Sequence, residues 1–174
     1  MEKIRIGIIG TGNIARAHAK GYLANSDRAE IVAACDVNRE SAESFAAQYE
    51  VERIYTNCGE MLRQPFIDAV SICTPNYLHA PITIEALRRR KHVLCEKPMA
   101  TKLSDAQEML ETARETGQKL YIGFNHRFIA SFQKAREILK KGTLGRIVAI
   151  RMLYGHTLLE RLMPSWFGGL AKSG

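Results

Sequence analysis

Long apolar runs are missing from these 174 residues. None approaches the roughly 18 to 20 residues that span a bilayer, so no membrane partner is expected. Cysteine is sparse: Cys35, Cys58, Cys73 and Cys95 form no C-x-x-C pair, which speaks against a zinc or redox centre and predicts no metal site. Three of the four end apolar segments and read as small buried thiols, which points to a reducing, cytoplasmic setting. Residues 1–5 place charges in the only candidate signal core, so a secretory leader is not expected. Acidic residues are scarce after position 118. Residues 119–174 hold 10 basic side chains and only two acidic ones, Glu137 and Glu160, whereas residues 1–118 hold 15 and 16. The net charge is +7, but no nucleic-acid motif accompanies it, and no nucleic-acid partner is expected. The run Arg88-Arg89-Arg90-Lys91 reads as a helix end, where cations suit the dipole.

What is present is ordinary globular material, 46% hydrophobic and 25% charged. Apolar spacing alternates between the two periods from the first residues. Strands are predicted over 3–9, 30–36, 53–55, 68–74, 92–96 and 119–124. Helices are predicted over 13–24, 39–49, 58–64, 77–90 and 104–116. Asn38 and Asn76 read as N-caps, Ser104-x-x-Gln107 as a capping box, and Gly117 as a helix stop. Strands separated by helices imply an α/β fold, a doubly wound parallel sheet covered on both faces. The pattern then changes. Residues 131–141 form an amphipathic helix, and 146–154 read as a strand rich in β-branched residues that opens a second, incomplete sheet. The predicted division is a first domain over 1–124 and the beginning of a second over 125–174. Alone, strand 146–154 exposes an edge and is expected to pair with another copy or stay poorly ordered. That leaves a homo-oligomer open.

Four motifs carry chemistry. Gly10-Thr11-Gly12-Asn13-Ile14-Ala15 is a G-x-G-x-x-A between a strand and a helix, the context in which such a loop grips a pyrophosphate. Gly10 permits the turn, Gly12 admits the phosphates to the backbone, and Ala15 allows close packing. Asp36 ends the second strand, 24 residues after Gly12, where a carboxylate accepts the hydroxyls of an adenosine ribose and repels a 2′-phosphate. NAD is therefore expected over NADP, with Arg39 close enough to blur the preference. Thr74-Pro75-Asn76-x-x-His79 sits at the carboxyl edge of the fourth strand, where cofactor contact and a plain strand–helix turn are equal readings. Glu96-Lys97-Pro98 follows the fifth strand. An ammonium there can bond a substrate hydroxyl and stabilise alkoxide charge, with Glu96 orienting it or serving as a structural acid.

In this order and spacing, G-T-G-N-I-A, C-D, T-P-N-Y-L-H, E-K-P and G-F-N-H-R-F resemble the glucose–fructose oxidoreductase / inositol dehydrogenase (Gfo/Idh/MocA) family, over nearly the whole chain. The resemblance implies an N-terminal Rossmann domain followed by an α/β substrate domain. It also implies hydride transfer between NAD(P) and a sugar, cyclitol or related hydroxyl compound. It makes Lys97 the catalytic lysine. It puts Gly10, Gly12, Asp36, Thr74, Asn76, His79 and Glu96 near the cofactor, and it places Asn125, His126 and Arg127 at the domain junction, as substrate contacts or as domain ties. The family's D-x-G-x-H-x-x-D motif is absent from the 174 residues, which end at Lys172-Ser173-Gly174. The polypeptide by itself is therefore expected to bind cofactor without turnover. Phe167 stands where many members carry Arg beside Trp166, which puts that contact in doubt. His156 is the remaining candidate for a base. The alternatives are an NAD-dependent glycoside hydrolase on the same scaffold and a non-catalytic NAD-binding protein.

Overall fold

The computed structural model describes residues 2–153 and 155, which divide into two compact units meeting at Gly123 and Phe124. The first unit is built on six strands: β1 (Ile4–Ile9), β2 (Ala29–Cys35), β3 (Arg53–Tyr55), β4 (Ala69–Ile72), β5 (His92–Cys95) and β6 (Leu120–Ile122). All neighbours pair in parallel, in the order β3-β2-β1-β4-β5-β6. Chain direction across the sheet reverses between β1 and β4, so the crevice outside their carboxyl ends is the place where such sheets bind ligands.

Alternation along the strands explains why both faces are covered. Ile6, Ile8 and Ala34 pack with Ala15, Ala19, Phe45 and Tyr49, from helices α1 (Asn13–Leu23) and α2 (Arg39–Tyr49). Ile9, Ala33 and Cys35 face the opposite way. They join Met61, Leu62, Leu87 and Met109 from α3 (Cys58–Leu62), α4 (His79–Arg88) and α5 (Leu103–Thr116). Gly7 lies close under this second layer, where a Cβ would press on the Met61 Cε at 2.9 Å and make that side chain shift.

The caps follow local chemistry, with two departures from expectation. The Asn38 side chain accepts the Ser41 N–H and opens α2. Gly117 closes α5 at φ +69°, a conformation glycine adopts without penalty. The capping box at Ser104 does not form. The helix starts one residue earlier from an extended Lys102, and the Ser104 hydroxyl turns to the Asp105 carboxylate at 3.2 Å. Asn76 does not cap α4 directly, because a 3-10 turn over Asn76–Leu78 intervenes. The basic run is also divided. Arg88 ends α4 and Arg90 adopts a left-handed backbone, whereas Lys91 turns inward. Its ammonium donates to the Gln64 and Ile67 carbonyls at 2.8 and 2.7 Å.

The second unit contains a 3-10 turn (Asn125–Phe128) and helix α6 (Ala130–Lys140). The strand expected over 146–154 is absent among its described residues, 146–153. Gly142 and Gly145 both take positive φ and turn the chain. The segment after them finds no ladder to join, and a strand without a hydrogen-bonded neighbour is not stable by itself.

Candidate functional site

The site is built where β1, β2, β4 and β5 end. Gly10 leaves β1 at φ +84°, and a Cβ there would sit 2.7 Å from the Cys73 carbonyl oxygen and 3.0 Å from the Thr74 nitrogen. Only glycine lets these two strand ends approach so closely. Gly12 opens α1, and a Cβ on it would meet nothing within 4 Å. Its face is open. The first turn of α1 carries no acidic side chain, so its amide groups keep the partial positive charge that suits an anion. Ala15 is fully buried behind them.

Asp36 ties this loop to β2. Its Oδ2 accepts the Thr11 N–H at 2.8 Å and the Thr11 hydroxyl at 3.0 Å, and its Oδ1 accepts the Asn38 N–H at 3.0 Å. Thr11 Oγ1 also lies 2.8 Å from the Ser41 hydroxyl. A carboxylate offers about four acceptor positions, and three are filled from within the protein. One acceptor position is left, on Oδ1. Thr11 itself is buried and points its polar groups at Asp36. Arg39 is exposed and pairs with Glu43 at 2.8 Å.

At the end of β4, the Thr74 Oγ1 is buried without a hydrogen-bond partner. Asn76, two residues further on, is buried. His79 is fully buried, with its ring between two carbonyl oxygens, Pro98 at 2.6 Å from Nδ1 and Thr74 at 3.0 Å from Nε2. It therefore stands behind the surface and joins the Thr74-Pro75-Asn76 turn to the Glu96-Lys97-Pro98 loop.

That loop leaves β5 with Lys97 exposed and Glu96 buried. Glu96 Oε1 lies 3.0 Å from His18 Nε2, and Oε2 accepts the Lys97 N–H at 3.2 Å. Burial pushes the Glu96 carboxyl up. The His18 hydrogen bond, the Lys97 N–H and the Lys97 charge outweigh burial and hold it below the usual glutamate value. His18 Nδ1 lies 3.2 Å from the Ser71 hydroxyl, which the Tyr22 hydroxyl approaches to 2.6 Å.

His18, Tyr22, Ser41, Ser71 and Gly123 were not singled out by sequence reasoning. His18 did carry a signal: it falls on the inward stripe of α1 between Ala15 and Tyr22, where a polar ring needs a partner. Asn125, His126 and Arg127 lie in the 3-10 turn of the second unit. There His126 stacks on Phe132 with ring centroids 5.7 Å apart, and the Arg127 guanidinium lies 5.8 Å from the Phe124 ring centre. His156 and Trp166 lie outside the described residues. Among the described residues no cluster of histidine, cysteine and carboxylate side chains could hold a metal. Burial pushes the Cys35 and Cys95 thiols up to about 12, and those of Cys73 and Cys58 upward as well, which disfavours the thiolate.

Comparison with known proteins fits this geometry. The model of the Gfo/Idh/MocA oxidoreductases, NAD-binding Rossmann fold, matches residues 4–124. The chain belongs to the Gfo/Idh/MocA family. Among its relatives, D-glucoside 3-dehydrogenase of Escherichia coli is 39% identical over 145 residues, covering 83% of this chain and 41% of that protein. Myo-inositol 2-dehydrogenase of Thermotoga maritima is 34% identical over 149 residues, covering 86% and 44%. The WlbA dehydrogenase from Bordetella pertussis, solved with NADH and UDP-GlcNAcA, superposes with a TM-score of 0.81 at 34% identity, covering 84% of this chain and 44% of that one. The chain thus spans less than half the length of these relatives. The G-T-G-N-I-A, C-D, T-P-N-Y-L-H and E-K-P motifs lie at strand ends of the first unit, and the residues there fit a dinucleotide. Gly12 leaves an open approach to the backbone, the orphaned Thr74 hydroxyl lacks a partner, and Asp36 keeps one acceptor position.

Proposed function

We propose that this chain is the cofactor-binding part of an NAD(P)-dependent dehydrogenase that moves a hydride between nicotinamide and the carbinol carbon of a sugar, cyclitol or related compound. The observation that carries the reading is the junction of β1 and β4. There the glycine turn that leads into α1 presses on the Cys73 carbonyl and the Thr74 backbone, and the Thr74 hydroxyl is buried without a partner. When bound, the nicotinamide supplies the hydride acceptor or donor. The residues of the chain do the rest. The Gly10–Ala15 loop and the first amides of α1 receive the pyrophosphate. Asp36 accepts a ribose hydroxyl and repels a 2′-phosphate, which supports NAD over NADP. Thr74 and the turn through Pro75 and Asn76 line the middle of the cofactor. Lys97 stands at the nicotinamide end and donates to the substrate hydroxyl oxygen, stabilising charge as its proton leaves. Asn125, His126 and Arg127, with His156 and Trp166, are proposed to meet the substrate.

As a polypeptide of 174 residues without a D-x-G-x-H-x-x-D stretch, the chain is expected to bind the dinucleotide without sustained turnover. Calorimetric titration with NADH tests the core of the proposal. Saturable binding with a preference for NAD(H) over NADP(H) is expected. No heat at millimolar dinucleotide from folded protein would overturn it.

A further inference from the structure

Between α1 and the ends of β4, β5 and β6, the first unit encloses a polar chain that the proposed chemistry does not use directly. Tyr22 and His18 lie four residues apart on α1, so both project from the same face. Ser71 on β4 lies 2.6 Å from the Tyr22 hydroxyl and 3.2 Å from His18 Nδ1, and Glu96 lies 3.0 Å from His18 Nε2. One arrangement of protons satisfies every member with a neutral ring. Tyr22 donates to Ser71, Ser71 donates to Nδ1, and Nε2–H donates to Glu96. Burying such groups is costly unless each is paired, so the network acts as a unit.

Its far end is Lys97. Glu96 holds the Lys97 N–H with Oε2 while His18 holds Oε1. The carboxylate also depends on room left from the side of β6. A Cβ on Gly123 would lie 2.7 Å from Glu96 Oε1 and 3.1 Å from its Cδ, so the absence of a side chain at 123 is what leaves Glu96 its place. The backbone of Gly123 is itself pinned, its N–H donating to the Cys95 carbonyl at 2.8 Å.

We propose that His18 is a positioning residue: through Glu96 it fixes where Lys97 stands at the sheet edge, with the bare backbone of Gly123 leaving the carboxylate its room. The inference rests on the dinucleotide reading above and adds to it a helix-borne control of the lysine.

The test compares two ligands on the 174-residue chain, NADH and ADP-ribose, which shares the adenosine diphosphate half and lacks nicotinamide. Lys97→Ala is expected to weaken NADH about tenfold and leave ADP-ribose within about twofold. His18→Leu is expected to do the same, His18→Gln, which keeps a donor toward Glu96, to recover most of the loss, and His18→Leu to cost nothing further in a Lys97→Ala background. Should His18→Leu fail to fold, Gly123→Ala, which displaces the carboxylate from the other side, carries the same expectation. A His18 variant that weakens both ligands equally, or an effect that persists undiminished without Lys97, would overturn the proposal. So would a Lys97→Ala variant that binds NADH normally. If the unaltered chain binds neither ligand, the dinucleotide reading itself fails and takes this inference with it. Binding of both by the unaltered chain separates the two failures.

Discussion

Gly10 and Gly12 stand two residues apart and meet a methyl group very differently. At position 10 the backbone is left-handed and a Cβ would collide with the Cys73 carbonyl. The left-handed conformation alone costs an L-residue about 1 to 2 kcal/mol, and the clash adds to it because backbone cannot swing aside. Gly10→Ala is therefore expected to lower the melting temperature by several degrees and abolish NADH binding together. At position 12 φ is −70° and the space is empty. Gly12→Ala is expected to leave the melting temperature within about a degree while raising the NADH Kd about tenfold or more, about 1.4 kcal/mol, because the methyl occupies the pyrophosphate approach. A melting curve and a titration on each variant check the pair. If Gly12→Ala kept full affinity, the phosphates would lie elsewhere. Asp36 offers a different test, since it holds the loop and is proposed to hold the cofactor. Asp36→Asn keeps a carbonyl acceptor for Thr11 and removes the charge that repels a 2′-phosphate. The ratio of NADPH to NADH dissociation constants is expected to fall about tenfold, and an unchanged ratio would show that Asp36 does not read the ribose.

Elements were legible in the sequence wherever a local signal and the tertiary environment agreed. The α2 and β3 boundaries coincide with the periodicity because Asn38 supplies a cap and the apolar spacing faces a core. Cap chemistry of this kind can be measured: Asn38→Ala is expected to cost about 1 kcal/mol, read as a lowered denaturant midpoint with an unchanged slope. An unchanged midpoint would mean that the Thr11–Asp36–Ser41 contacts alone hold the start of α2. The capping box at Ser104 failed because an N-cap motif depends on which residue is extended, and here that residue is Lys102. The segment 146–153 shows the larger limit. A run rich in β-branched residues favours an extended chain, but a strand exists only when another lends it hydrogen bonds, and that partner is a matter of tertiary context. The site was legible to the same degree. Gly10, Asp36 and Lys97 are announced by motif position. The chain from Tyr22 through Ser71 and His18 to Glu96 joins residues up to 78 apart and has no sequence spacing of its own.

On the scale of the whole molecule, charge is what makes the fold respond to solvent. Among the described residues, three carboxylates are held below their ordinary values. Asp68 is lowered chiefly by its hydrogen bond from Arg5, whose guanidinium grips it at 2.7 and 2.9 Å. Glu96 is lowered by His18 and Lys97 against the opposing effect of burial, and Glu137 by Lys141 and Lys134. A carboxylate whose value is depressed in the folded state binds fewer protons folded than unfolded in that window, so stability rises with pH through it. These contributions are complete above the unfolded values of about 4 and fade as the pH falls through the lowered ones. Glu96 matters most, because it is buried and its protonation would also release His18 and the Lys97 N–H, whereas Asp68 and Glu137 are more exposed and contribute less. Thermal melts from pH 7 to pH 3 are expected to hold steady down to about pH 5 and then decline steeply. In Glu96→Gln that decline should be shallower, and the starting stability at pH 7 lower. A variant whose acid limb superimposed on that of the unaltered protein would mean that Glu96 gains nothing from its charge, and the network around it would have to be redrawn with a neutral carboxyl at its centre.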